Sequence, residues 1–260
     1  MTSIFVDGNP YRFYASATNE KSFLEQKVIS QYYAGSLPIK LGDKNKRVLD
    51  LGSGTGANTW WLREVFPDHT IIALEPSIGQ IDQVDFLDYK IYNSSFEEFD
   101  QKNFEFILCS HVLQYINTNP KKFIQKIYDS LVPGGEAWII QQTQYGLNEI
   151  IQQVKPHLKN NLFDDWLLFN DYALLVDNLK LPYETDIMHT SIQGIDYKNP
   201  TNAQKKILKF ILGGIPYKNL PSEARDALGK LPIQKRIYHP NGIIKIKRPE
   251  NDSRIISNNI

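Results

Sequence analysis

The sequence predicts an α/β fold, a mostly parallel seven-stranded sheet with helices on both faces and a helical cap. Three observations predict it. Short apolar strands alternate with amphipathic helices from residue 46 onward. Three glycines at alternate positions, Gly52, Gly54 and Gly56, stand between the first of those strands and its helix. An acid, Glu75, closes the second strand.

Taken in order, residues 20–34 (EKSFLEQKVISQYYA) place Phe23, Leu24, Val28, Ile29 and Tyr32/Tyr33 on one face, which predicts a helix. KRVLDLG (46–52) is a short buried strand and TGANTWWLREVF (55–66) the helix after it. HTIIALEP (69–76) is the second strand, followed by a helix over 78–87 and a third strand at YKIYNSS (89–95). NFEFILCSH (103–111) is the fourth strand, PKKFIQKIYDSLV (120–132) a helix, and VPGGEAWIIQQT (132–143) a turn and the fifth strand. Aromatic-bearing helices then interrupt the alternation at 144–170. It resumes with a helix at 171–179, a strand at 183–191, an insert at 196–230 and a last strand, GIIKIK (242–247), expected to run antiparallel.

This reading gives one domain over 1–248, with an N-terminal arm and helix at 1–34 and a cofactor-binding core at 46–143. The inserts at 144–170 and 196–230 form a cap over the sheet's C-terminal edge, where open α/β sheets bind ligands. The polar tail 249–260 is expected to fray.

Bulk properties narrow the function. Lys+Arg 29 against Asp+Glu 29 leaves no net charge in 260 residues, so the chain lacks the overall pull of a polyanion binder, and nucleic acid is not the expected partner. The one cysteine, Cys109, forms no internal disulfide, which fits a reducing compartment, and it is read as a small core residue. The N-terminus lacks a basic-then-apolar signal layout, and no run approaches the ~18 apolar residues of a membrane span. A cytoplasmic protein without a membrane partner is expected. The histidines at 69, 157, 189 and 239 show no metal-ligand spacing with Cys109 or one another, so no metal is implied.

The glycine turn is of the form D-x-G-x-G-x-G, beginning at Asp50. It differs from the G-x-G-x-x-G of dinucleotide sites, which disfavours a nicotinamide-dependent oxidoreductase, and from the P-loop, which needs a Lys that is absent. Glycines let the backbone approach a ligand, although such a turn also serves tight packing alone. Glu75 stands where an acid binds two ribose hydroxyls, or simply faces water.

D-x-G-x-G-x-G, an acid closing the next strand and a "PGG" turn before strand five resemble, over residues 46–143, the class I S-adenosylmethionine-dependent methyltransferases. The resemblance implies a Rossmann-like fold, S-adenosylmethionine as cofactor and S-adenosylhomocysteine as product. By it, Gly52, Ser53, Gly54 and Gly56, with Asp50 before them, line the methionine portion. Glu75 takes the ribose, Pro76 and Gln80 lie along the adenosine, and Asn93, Ser94 or Ser95 reaches the adenine edge. Ser110 and His111, after strand four, face the sulfonium.

Amino-group methylases of nucleic acid bases resemble N/D-P-P-Y/F after strand four, whereas this chain has SHVLQY. A further resemblance, over most of the chain, is to the histamine N-methyltransferase family. The arm IFVDGNPYRFY carries Phe5 and Tyr11, ATNEKSF carries Glu20, and SHVLQYINTNPKKF puts His111, Gln114 and Tyr115 at the substrate mouth. DYALLVDNLKLPYE, PSEARDALGKL and Asn241 in HPNGIIKIK match later segments. The chain departs from that family in having His111 in place of a glutamine and Gln114 in place of a tyrosine, and in lacking tryptophans after strand five. These positions shape the ring pocket, so the acceptor implied is a related primary or secondary amine.

Individual residues carry alternatives. Glu20 holds the amine by a charge-assisted hydrogen bond, or is a first-turn acid complementing the helix dipole. His111 is the base or substrate orienter, or a histidine bonded to backbone. Asn241 bonds substrate, or forms an Asn-Gly turn before the last strand. Tyr11, Phe13, Tyr14, Tyr115, Tyr145 and Trp166 supply aromatic walls with a cation–π component, or ordinary core. Trp60 and Trp61 are read as packing.

The function expected is methyl transfer to a small-molecule acceptor, preferably an amine nitrogen, by a monomer or homodimer. The alternatives are a small-molecule O-methyltransferase of secondary metabolism, and a non-catalytic module that binds S-adenosylmethionine.

Overall fold

A computed structural model describes residues 46–82, 84, 90–116, 118–158, 166–212 and 215–251. They fall into two compact units. Of the described residues, one unit comprises 46–141, Phe169–Ile187 and 242–251; the other comprises those of Gln142–Leu168 and Met188–Asn241.

The first unit carries the seven-stranded sheet. β1 (Arg47–Leu51) pairs in parallel with β2 (Thr70–Leu74) on one side and β4 (Phe104–Ser110) on the other, and β3 (Lys90–Tyr92) extends the sheet beyond β2. β5 (Leu131–Gln142) pairs in parallel with β4, and β9 (Asn241–Lys247) and β6 (Tyr183–Met188) complete the order β3-β2-β1-β4-β5-β9-β6. β1 and β4 are buried on both faces, which is why VLDL and FILC read as apolar runs without alternation. β9 runs against β6: Lys245 pairs with Asp186 at 3.4 Å and Lys247 with Glu184 at 3.0 Å, so residue numbers rise along one strand as they fall along the other. The last strand is antiparallel, as expected, and lies inside the sheet between β5 and β6.

The helices are built by local rules. α1 (Ala57–Val65) starts at Gly56, which adopts φ +84°. α2 is one turn, Ile78–Ile81, where a helix to residue 87 was expected; residues 83 and 85–89 lie outside the described set. α3 (Pro120–Asp129) has Pro120 at its first position, and the Asn119 side chain accepts the Lys121 N–H at 2.9 Å. It buries Phe123, Ile124, Ile127 and Tyr128 as one stripe. The PGG segment belongs to β5 as a bulge: Gly134 takes φ +80° and donates to the Arg248 carbonyl at 2.8 Å, while Arg248 N–H donates to Gly135 at 2.9 Å.

The second unit has its own core. α4 (Leu147–Val154), α6 (Asn202–Ile211) and α7 (Ser222–Gly229) pack Leu147, Ile151, Leu208, Ile211 and Leu228 together with Ile237. α5 (Phe169–Asn178) belongs to the first unit. A two-stranded antiparallel sheet, β7 (Ser191–Gln193) with β8 (Arg236–Tyr238), accompanies that core. The strand expected at 183–191 is therefore two strands in different sheets.

Candidate cofactor and active site

Strand order reverses between β1 and β4: the chain moves outward from β1 through β2 to β3, then returns to β4 on the other side. The loops after β1 and β4 flank such a switch point, where open parallel sheets leave a crevice. They touch here. Gly52 sits at φ +73°, and a Cβ built on it falls 2.4 Å from Val112 Cγ2, so only glycine fits against the β4 loop.

The turn is tied to β2. Gly52 and Ser53 N–H both donate to the Leu74 carbonyl, at 2.8 and 3.1 Å. Gly54 N–H donates to Glu75 Oε2 at 2.9 Å, and Ser77 N–H donates to Glu75 Oε1 at 2.9 Å. Glu75 is 7% exposed, and burial raises its pKa while those two backbone donors oppose the rise. Asn93 Nδ2 donates to the carbonyls of Glu75 and Pro76 at 3.1 and 3.0 Å, bracing the acid's own backbone. Asp50 lies beneath the turn, accepting the Thr59 hydroxyl at 2.6 Å. Burial pushes its carboxyl up to about 7; the Thr59 bond opposes this and the Glu75 charge adds to it. Gln80, on α2, is 2% exposed, and its Oε1 has no hydrogen-bond partner among the described residues. Ser94 Oγ donates to Ser95 O at 3.2 Å, and Ser95 Oγ bonds Glu98 at 3.2 Å.

At the end of β4, Ser110 is half-buried and His111 takes φ +55°, uncommon for a residue with a side chain. His111 N–H donates to the Ile140 carbonyl at 3.0 Å, carrying the ladder one residue past the strand. Gln114 and Tyr115 follow on a single 3₁₀ turn, Leu113–Tyr115, and burial pushes the Tyr115 hydroxyl up to about 12. Cys109 is fully buried with its thiol pushed far up, which fits a core residue and no nucleophile.

The structure thus joins Asp50, Gly52, Ser53, Gly54, Glu75, Pro76 and Asn93 by hydrogen bonds through β2 and α1. Gly56 closes the turn, accepting from Trp60 N–H at 2.9 Å. Tyr145, Trp166 and Asn241 belong to the second unit. There Tyr145 is 49% exposed and Trp166 packs against that unit's core. Asn241 is fully buried at the start of β9, its Nδ2 donating to Thr190 Oγ1 at 3.3 Å; Asn-Gly is strand here, where a turn was an open reading. Phe5, Tyr11, Phe13, Tyr14 and Glu20 lie outside the described residues. Sequence reasoning missed Thr59 and Val112. A hydroxyl three residues past Gly56, on the first turn of α1, is the signal that points to Thr59.

Among the described residues, no group of three or more His, Cys, Asp or Glu side chains converges as a metal site, and no helix is long and apolar enough to cross a membrane.

This architecture recurs in known proteins. The plantazolicin methyltransferase BpumL, solved with a pentazolic desmethylPZN analog and S-adenosylhomocysteine, superposes with a TM-score of 0.58 at 13% identity, covering 95% of this chain and 93% of that one. A phosphoethanolamine N-methyltransferase of Haemonchus contortus gives 0.54 at 13% identity, covering 95% and 58%. A Thermotoga maritima methyltransferase described as a possible histamine N-methyltransferase gives 0.51 at 14% identity, covering 92% and 99%. At these identities the likeness is one of fold. In sequence, an uncharacterized protein of Methanocaldococcus jannaschii is 24% identical over 117 residues, 42% of this chain, and the chain spans about a third (32%) of that relative's length. A family model described as a methyltransferase domain matches residues 26–181, a stretch that contains the glycine turn, Glu75 and the β4 loop. With that match extending over more than half of its length, the chain belongs to the methyltransferase domain family.

Proposed function

We propose that the protein transfers a methyl group from S-adenosylmethionine to the nitrogen of a small-molecule amine, in the manner of the histamine N-methyltransferases that its short motifs resemble. The observation that carries the cofactor half is the buried Glu75 carboxylate, held by Gly54 and Ser77 N–H groups at the strand-order reversal.

The residues fit that cofactor. Gly52 keeps a side chain out of the space beside Val112. Glu75 supplies carboxylate oxygens for ribose hydroxyls, and the orphaned Gln80 Oε1 is a buried acceptor suited to an adenosine donor. Ser53, Gly54 and Gly56 offer backbone to the methionine portion. When bound, the sulfonium supplies a methyl group already activated for displacement, so the protein's task is alignment and exclusion of water.

On the acceptor side, Glu20 attracts the ammonium form of the substrate, which must lose a proton before its nitrogen attacks. A His111 ring nitrogen takes that proton. Gln114 and Tyr115, on the β4 loop, border the acceptor, and the Tyr115 ring adds cation–π attraction. The single cysteine supports work in a reducing compartment.

The test is methyl transfer from labelled S-adenosylmethionine to a panel of small amines and phenols, with wild type, Glu20→Gln and His111→Ala side by side. Label on an amine, lost in Glu20→Gln, with His111→Ala lowering turnover at unchanged cofactor affinity, supports the reading. Label on a phenol, indifferent to Glu20→Gln, replaces it with O-methylation. Tight cofactor binding with no transfer to any acceptor overturns it in favour of a binding module.

A further inference from the structure

The second unit contains a cleft of about 710 Å³ with an unusual lining. Six cations face it: Lys198 before α6, Lys205, Lys206 and Lys209 on α6, Lys218 on the 3₁₀ turn Tyr217–Asn219, and Arg225 on α7. Among the described residues, no aspartate or glutamate belongs to the lining. In a chain with equal numbers of acids and bases, this is a pronounced local segregation.

Two acids of these segments hydrogen-bond within their own turns. Asp196 Oδ1 accepts the backbone N–H groups of Lys198 and Asn199, both at 3.0 Å, and Glu223 Oε2 accepts the Ser222 hydroxyl at 3.0 Å. Among the described residues, Lys198, Lys205, Lys206, Lys218 and Arg225 take part in no ion pair. Gathering like charges at one cleft costs stability that a bound anion restores.

The walls are firm. Pro200 and Pro216 border the cleft, and the Tyr217 ring is fixed by its hydroxyl, which donates to the Tyr197 carbonyl at 2.7 Å. The volume lies within the range of about 300–1,000 Å³ of small-molecule sites. Compact ammonium charges suit phosphate oxygens, and the single guanidinium adds a forked contact.

We propose that this cleft is a binding site for a small molecule carrying two or more phosphate groups. All of its lining lies in the second unit, and none of the residues assigned to the cofactor takes part.

The test is calorimetric titration of the intact chain with inorganic triphosphate, at low and at raised salt. The expected result is one saturable site that weakens as salt rises. The Lys205→Gln/Lys206→Gln variant should lose about tenfold or more in affinity, and Lys205→Arg/Lys206→Arg should stay within about threefold of wild type. The glutamine variant's unfolding midpoint without ligand should equal or exceed that of wild type, because repulsion is relieved. Absence of saturable binding, or affinity untouched by the glutamine variant, overturns the proposal. So does a short single-stranded RNA that binds more tightly than triphosphate through the same lysines, which would make the cleft part of a nucleic-acid surface.

Discussion

The Thr59 hydroxyl donates to Asp50 Oδ2 at 2.6 Å beneath the glycine turn, tying α1 to the end of β1. The carboxyl it holds is fully buried, and its pKa rises from 3.8 to about 7, which costs the ionised form about 4 kcal/mol. Because the folded value is the higher one, the native state binds more protons than the unfolded chain between those limits. Asp50 therefore erodes stability as pH climbs from about 4 to about 7, and the loss is complete above that. Asp50→Asn, which keeps an acceptor for Thr59, should match wild type near pH 4 and be more stable by a few kcal/mol near pH 8. Thr59→Val should cost about 1.5–3 kcal/mol near pH 8 and less in acid. Urea unfolding at both pH values measures these differences, and a pH-independent difference for Asp50→Asn would refute the account.

Glu75 has one partner on each oxygen, Gly54 N–H and Ser77 N–H, both at 2.9 Å. Glu75→Ala leaves two backbone donors without their acceptor and frees the turn. Glu75→Gln keeps one oxygen but turns an amide N–H toward a backbone N–H. Charge-assisted bonds of this kind contribute about 1.5–3 kcal/mol, so S-adenosylhomocysteine affinity should fall about tenfold for the glutamine variant and further for alanine. The exposed Glu64, changed to Gln, is the control and should leave affinity unchanged. Calorimetry on the three variants decides whether the acid closes the cofactor site.

The central sheet was legible because its strands are apolar runs cut off by charge and glycine, as in RVLDL and FEFILCS. Glu75 was legible because spacing alone put it at the end of β2, next to the glycine turn. Thr59 was missed, since its bond to Asp50 spans nine residues and its one trace in the chain is a hydroxyl on the first turn of α1. β7 and β8, three residues each, are too short to show alternation. The break between β6 and β7 falls at His189 and Thr190. There the Thr190 hydroxyl turns to the His239 carbonyl, and His239 N–H donates to Thr190 O at 2.9 Å. The basic cleft was hidden for another reason. Its cations are scattered from 198 to 225, and balanced composition averaged them away.

Gly52 joins the β1 and β4 loops by having no side chain. Gly52→Ala places a methyl 2.4 Å from Val112 Cγ2 at φ +73°. The left-handed conformation alone costs a non-glycine residue about 1–2 kcal/mol, and the collision adds to it. Val112→Ala removes both γ carbons of the obstructing residue, so the double variant should recover the collision's share and retain the conformational share. A double-mutant cycle with unfolding free energies reads the coupling directly. Strict additivity of the two substitutions would show that the loops do not meet as described.

Gly242 makes the case that the Asn-Gly pair belongs to the strand. A Cβ on Gly242 would lie 2.1 Å from Phe169 Cγ and Cδ2, so the first ring of α5 rests flat on the β9 backbone. Phe169 is 7% exposed, and removing its ring should cost about 3–5 kcal/mol by the lost burial and the cavity left. Gly242→Ala should cost about 1–3 kcal/mol through overpacking. In a Phe169→Ala background the methyl has room, so the same glycine substitution should become neutral or mildly stabilising. The added alanine there partly fills the cavity and restricts the unfolded chain. That reversal of sign, measured by urea unfolding of the four proteins, is specific to ring-on-glycine packing. A Gly242→Ala cost that persists without the ring would assign the glycine to a turn instead.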